Sequence, residues 1–265
     1  MNSSSRQFAV VTGGSSGIGL ELAKQFAQNG FDVLIAAEDD GLASAAGEIR
    51  ALGGTVETCQ VDLARPDGVE ELAGMLAGRP VDAIAINAGV GVGGRFLETP
   101  LEDELEIIDL NVRSAVHLTK RVLPAMVQRG EGRILITSSI AAVAATPYEA
   151  VYGASKAFGK SFAGSLRNEL KDTGVTVTTL MPGPTETNFF HRAGMDDTQV
   201  GQSEKKADPA QVAKQGFEAL MAGKHEVIAG PITTKFEGLV SKVVPEQITA
   251  AQHGKLAEPG GATKS

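Results

Sequence analysis

Phe8-Ala9-Val10-Val11-Thr12 runs directly into Gly13-Gly14-Ser15-Ser16-Gly17-Ile18-Gly19. The first five residues are an apolar run of strand length, which the glycine and serine residues interrupt. Residues 20–29 then place Leu22, Ala23, Phe26 and Ala27 on one helical face, and Gly30 supplies a stop. In a strand–glycine loop–helix unit the backbone can approach a phosphate closely, and the helix N-terminus offers it free N–H groups. The spacing is Gly-x3-Gly-x-Gly, not the commoner Gly-x-Gly-x-x-Gly. Taken alone it also fits a tight strand–helix turn without a ligand.

The same alternation continues outward from this unit. Short apolar runs at 32–37, 55–61, 81–86, 133–137, 175–181 and 226–229 read as strands. Between them lie helical patterns at 42–52, 66–76, 101–128, 148–171 and 209–222, with Pro124 expected to bend or break the long one late. Short strands alternating with helices predict a parallel sheet covered on both faces, and right-handed crossovers make it doubly wound. The expectation is an α/β chain of about seven strands, one domain over residues 1–265 with its core at about 8–230.

Composition limits the function. The net charge is −8, from 24 basic and 32 acidic residues, and no basic patch for nucleic acid is visible. No run of about 18 apolar residues predicts a membrane span, and residues 1–7 carry no secretory pattern. The single cysteine, Cys59, reads as an inert core residue in a chain suited to a reducing, cytoplasmic setting. No residue is singled out for a metal.

Tyr152-Gly153-Ala154-Ser155-Lys156 would set a phenol and an ammonium on one helical face. A fixed ammonium beside a phenol favours the phenolate, so the Tyr152 pKa is expected to fall from about 10 towards neutrality.

Jointly, these motifs resemble those of the short-chain dehydrogenase/reductase family. The glycine loop looks like its cofactor loop. Asn87-Ala88-Gly89 resembles the end of its Asn-Asn-Ala-Gly motif, with Ile86 in place of the first Asn. Tyr152-x3-Lys156 resembles its catalytic signature, Ser139 stands thirteen residues before Tyr152 as its serine does, and Asn111 matches the fourth tetrad member. Residues 182–187 resemble its Pro-Gly motif after the sixth strand. The resemblance runs from about residue 8 to 230 and implies a Rossmann fold and a nicotinamide cofactor. It implies cofactor contacts from Gly13, Ser15, Ser16, Gly17, Ile18 and Gly19, from Glu38, from Asp62 and Leu63, from Asn87, Ala88 and Gly89, and from Tyr152 and Lys156. Pro182, Gly183, Thr185 and Thr187 complete the set. It also implies roles: Tyr152 exchanges the proton, Lys156 tunes it and bonds the nicotinamide ribose, and Ser139 holds the substrate oxygen. Asn111 positions a water that links the lysine to solvent, and Thr187 bonds the carboxamide.

An acid at the end of the second strand can accept from ribose hydroxyls, whereas a 2′-phosphate wants an arginine. The chain there reads Ala37-Glu38-Asp39-Asp40, which favours NAD(H) over NADP(H). A small-molecule secondary alcohol or ketone is the expected substrate. Residues 188–206 are expected to form a substrate lid in which Phe189, Phe190 and Met195 either line the pocket or pack the lid down. His191 is a weaker candidate for substrate contact, and His117 and His225 weaker still. From about 231 the chain departs from the family. Phe236, Leu239, Val240 and Val243 have helical spacing, 246–256 is helix-like, and 254–265 is expected to fray. The family commonly pairs subunits through its long helices, which implies a homodimer or homotetramer. Two other readings keep this fold: an epimerase or dehydratase, and a dinucleotide-binding regulator without turnover.

Overall fold

The computed structural model describes residues 6–231 and 246–264. The strands are β1 (Gln7–Thr12), β2 (Phe31–Ala37), β3 (Val56–Gln60), β4 (Ala83–Ile86), β5 (Gly132–Thr137), β6 (Val175–Pro182) and β7 (Glu226–Ala229). They form one parallel sheet in the order β3-β2-β1-β4-β5-β6-β7. The helices are α1 (Gly17–Gln28), α2 (Leu42–Arg50), α3 (Pro66–Leu76), α4 (Leu101–Ile108), α5 (Ser114–Arg129), α6 (Ala150–Glu169), α7 (Phe189–Arg192), α8 (Pro209–Met221) and α9 (Glu246–Ala257).

Period-two alternation along each strand builds two cores. Ala9 and Val11 of β1 face Leu22 and Phe26 of α1, Ile49 of α2 and Phe217 of α8. Phe8 and Val10 face Leu72 of α3 and Leu118 and Met126 of α5 across the other side. The chain winds outward from β1 to β3, then crosses back to β4 on the far side of β1. The order therefore reverses at β1 and β4, where doubly wound sheets open a crevice at the C-terminal ends of their strands.

Three local departures from the sequence pattern matter for function. Residues 101–129 stay helical past Pro124 and end on Gly130 at φ +73°, but Asp109–Arg113 widen into a π turn between α4 and α5. Such turns recur at functional positions, and this one carries Asn111. Secondly, α6 starts at Ala150, not at Tyr148, because Tyr148 has φ +68°. Thirdly, the expected fraying after Gly254 is replaced by order. The helix α9 runs on to a buried Ala257, Val200 N donates to Leu256 O (3.0 Å) and Ala262 N to Asp197 O (3.1 Å), and Gly261–Lys264 form a 3₁₀ turn. The proposed helical face of Phe236, Leu239, Val240 and Val243 lies outside the described residues.

Candidate active site

At the sheet's reversal point the glycine loop is folded by its own contacts. A Cβ on Gly19 would collide with Gly13 O, and one on Gly13 would stand 2.9 Å from Ala88 Cα. Thr12 Oγ1 accepts hydrogen bonds from the N–H groups of Asn87 (2.9 Å) and Ala88 (3.0 Å). Asn87 Nδ2 donates to Thr12 O (3.1 Å), and Asn87 Oδ1 accepts from Thr137 Oγ1 (3.1 Å). These bonds join the ends of β1, β4 and β5 into one floor. Ser16, the N-cap of α1, makes no side-chain capping bond, so the first-turn N–H groups of α1 stay open to an anionic ligand.

The helix α6 carries Tyr152 and Lys156 over this floor. Lys156 is buried, and its Nζ donates to Thr137 O at 3.3 Å. A Cβ on Gly89 would lie 3.0 Å from both Lys156 Nζ and Asn111 Oδ1, so both side chains reach the same space. Asn111 Oδ1 accepts from Val90 N (3.0 Å), and its Nδ2 donates to Val90 O and Ser155 Oγ (2.9 Å each). The π turn thus fixes the loop after β4. Ser138 is committed elsewhere: it is buried and donates to Lys156 O (2.7 Å). Ser139 caps a 3₁₀ turn, Ile140–Val143, where its Oγ accepts from Ala141 N (3.1 Å).

The electrostatics correct one expectation. The Tyr152 pKa is raised, not lowered: burial dominates, the Glu149 carboxylate adds to it, and the Ser139 hydrogen bond only partly offsets both. Lys156 Nζ stands 5.6 Å from the phenol ring centre, and burial lowers its own pKa to about 8. Desolvation disfavours the charged form of each and is the largest cause of both shifts.

A cavity of about 820 Å³ joins these groups. Its lining includes all the cofactor-loop positions from Gly13 to Gly19 except Gly14, with Glu38, Asp62, Leu63, Asn87, Ala88 and Gly89. At the other end it includes Ser139, Tyr152, Lys156, Pro182, Gly183, Thr185 and Thr187. Asn111 stands behind this wall, not in it. Glu106, whose pKa is raised by burial and then by Glu38, Asp62 and Asp103, adds acidity to the Glu38 end. The residues present therefore fit a dinucleotide: open helix N–H groups, acids for hydroxyl groups, and a buried ammonium with one protein hydrogen bond.

Residues 188–206 close the other side. Phe189 and Phe190 line the cavity, while Met195 is fully buried and packs the segment down with Ala193 and Ala257. His191 points away, its side chain 79% exposed and paired with Asp196. His117 is paired with Glu70 on the surface. The backbone O of His225 accepts from Arg167, and neither histidine lines the cavity.

Sequence reasoning missed Arg192, which lines the cavity and lies 3.8 Å from Asp39. It also missed Glu149 and His253, which pair at 2.9 Å in the cavity wall. The position of Glu149, three residues before Tyr152, was a usable signal. His253 offered none, because it belongs to no motif. Cys59 is buried, and burial raises its pKa.

The short chain dehydrogenase family model matches residues 7–198. An uncharacterized short-chain type dehydrogenase/reductase of Sinorhizobium fredii, y4eK, is 37% identical over 188 residues, covering 71% of this chain and 73% of that protein. Other relatives are longer, and the chain spans 60% of one and 34% of another. A short-chain dehydrogenase from Sphingobium yanoikuyae in complex with NADPH superposes with a TM-score of 0.80 at 27% identity, over 90% of this chain and 96% of that one. A short-chain dehydrogenase/reductase from Burkholderia phymatum in complex with NAD has the same fold, with a TM-score of 0.79 at 23% identity over 95% and 97% of the two chains.

Proposed function

The chain belongs to the short-chain dehydrogenase family, and from that premise we propose that it interconverts a secondary alcohol and a ketone on a small, partly apolar substrate. The observation that carries this reading is the convergence of Tyr152, Lys156 and Ser139 at one end of a cavity whose other end is the open N-terminus of α1. A bound nicotinamide dinucleotide supplies the hydride acceptor or donor.

In this reading the protein handles the oxygen and its proton. Ser139 hydrogen-bonds the substrate oxygen and steadies its developing charge. Tyr152 takes the hydroxyl proton in oxidation and returns it in reduction. Its raised pKa keeps the phenol protonated, the form that donates in reduction. Lys156 would hold the nicotinamide ribose and remains the group that favours proton release, and Asn111 would orient a water linking it to solvent. Thr187 would bond the carboxamide. Phe189 and Phe190 supply the apolar wall.

NAD(H) is the proposed dinucleotide, because Glu38 stands at the end of β2 with Asp62 and Glu106 nearby and would repel a 2′-phosphate. A homodimer or homotetramer is proposed through the long helices, where Leu101, Leu105 and Ile108 of α4 are exposed in the single chain. No helix among the described residues is long and apolar enough to cross a membrane. A cytoplasmic setting is proposed from the lone, buried Cys59. The test is a panel of secondary alcohols and ketones followed at the nicotinamide absorbance with both dinucleotides. Turnover is expected with NAD(H), and dinucleotide binding without turnover across the panel would favour a regulator.

A further inference from the structure

Glu149 is the residue before α6 and is 5% exposed. An acid at that position ordinarily caps its own helix, but this carboxylate makes no capping bond. It turns to the C-terminal helix instead, where Oε2 lies 2.9 Å from His253 Nε2. A carboxylate only accepts, so Nε2 carries the hydrogen. The second oxygen, Oε1, has no hydrogen-bond partner among the described residues, and the residue lines the cavity. Oε1 is not one of the buried orphan atoms of the described residues, so it is reachable from outside the protein and free to accept from a ligand.

The backbone is shaped for this placement. Tyr148, just before Glu149, is the described non-glycine residue with positive φ, at +68°, a strained conformation for a bulky side chain. The helix α9 comes close at Gly254, where a Cβ would stand 3.5 Å from Pro147 Cβ and 3.9 Å from Tyr148 Cε2. Glu149 lies three residues before Tyr152, close enough for its charge to act on the phenol, and away from the Glu38 end of the cavity. The same cavity is lined by polar Thr146, Gln252 and Lys255 and by apolar Phe189 and Leu256.

We infer that Glu149, fixed by His253, is a substrate-binding residue that accepts a hydrogen bond from a donor group carried next to the reacting carbon. The substrate class is then a hydroxy-ketone, vicinal diol or amino-alcohol with an otherwise apolar body. This inference rests on the alcohol–ketone reading of the same cavity. Glu149 supplies the acceptor. His253 is a positioning residue, delivered by the part of the chain that departs from the family pattern.

The experiment compares matched substrates, cyclohexanol against 1,2-cyclohexanediol and 2-aminocyclohexanol, and the same comparison on open-chain alcohols of equal length. The unaltered protein is expected to favour the donor-bearing member by about tenfold or more in kcat/KM. The diol arm identifies a hydroxyl as the donor and the amino-alcohol arm an ammonium. Glu149→Leu should bring the ratio to about one, a within-protein comparison that does not depend on how much enzyme is folded. His253→Phe should reduce the ratio through KM while kcat changes little, and His253→Gln, which keeps an N–H, should restore it. Equal turnover of both members by the unaltered protein overturns the inference and leaves the oxidoreductase reading standing. Loss in equal proportion for both members in Glu149→Leu does the same. Absence of turnover for every pair with either dinucleotide overturns both.

Discussion

The rings of Phe189 and Tyr152 lie 5.1 Å apart with their planes at 47°, so the segment leaving β6 closes directly over the phenol. Gly91 makes the room. A Cβ there would stand 2.6 Å from Phe189 Cζ and 3.2 Å from Tyr152 Cδ2. Alanine can be accommodated by rotating the Phe189 ring, whereas valine would force the ring off the tyrosine. Gly91→Val is therefore expected to lower kcat/KM by about tenfold or more with little change in dinucleotide affinity. Steady-state kinetics beside a fluorescence titration of the dinucleotide checks this, and equal loss of both would contradict it.

Dinucleotide choice follows from the end of β2. With Glu38 at the cavity and Glu106 made harder to ionise by burial and then by Glu38 and Asp62, a further negative charge there is unfavourable. NAD(H) is expected to exceed NADP(H) by about tenfold or more in kcat/KM, and Glu38→Arg to reverse the order. Arg192 is the nearby counter-charge, held 3.8 Å from Asp39. A preference for NADP(H) that disappears in Arg192→Ala would contradict the account and give that phosphate to Arg192.

The buried lysine predicts a pH signature of stability. Lys156 is lowered to about 8 from 10.5. Between those values the unfolded chain holds a proton that the folded chain has released. Stability from this group therefore rises with pH across that window, and its cost is complete below it. The raised Tyr152 acts in the opposite sense: above its ordinary 10.0 the unfolded phenol loses its proton first, so stability falls as pH climbs further. Lys156→Met should be more stable than the unaltered protein at pH 7, by up to about 3 kcal/mol, and the gap should close towards pH 10.5. Urea denaturation at several pH values reads it, and a gap independent of pH would contradict the assignment.

The core offers an independent check on the sheet packing. Phe26 is fully buried and meets Phe31 and Phe217 edge-on, each at 5.2 Å between centroids. Phe26→Ala is expected to cost about 3–5 kcal/mol in denaturant unfolding. A loss under about 1 kcal/mol would mean that α8 does not seal this face of the sheet.

Much of this was legible in the sequence because strand alternation and glycine spacing are local signals. The apolar runs located the strands, and the glycine loop located the sheet's reversal point. Asn111 was legible by motif, but its π turn was not, since nothing in Leu110-Asn111-Val112 distinguishes a widened turn from a regular one. The direction of the Tyr152 shift was misjudged because helical spacing reports which side chains are neighbours and not how deeply both are buried. Glu149 and His253 lie 104 residues apart in the chain. Their meeting depends on where α9 docks, a tertiary contact with no periodic signature. The fraying expected after Gly254 failed for the same reason: the tail is held by hydrogen bonds to residues 197 and 200, which its own composition does not announce.

In the proposed reaction Tyr152 moves the proton while the rest of the cavity binds. Tyr152→Phe removes one oxygen and leaves the ring against Phe189, so the measurement is turnover of the best alcohol or ketone beside dinucleotide affinity in the same preparation. The account predicts a fall in kcat of about 10² to 10⁴ with dinucleotide affinity within about threefold of the unaltered protein. Undiminished turnover in Tyr152→Phe would contradict it.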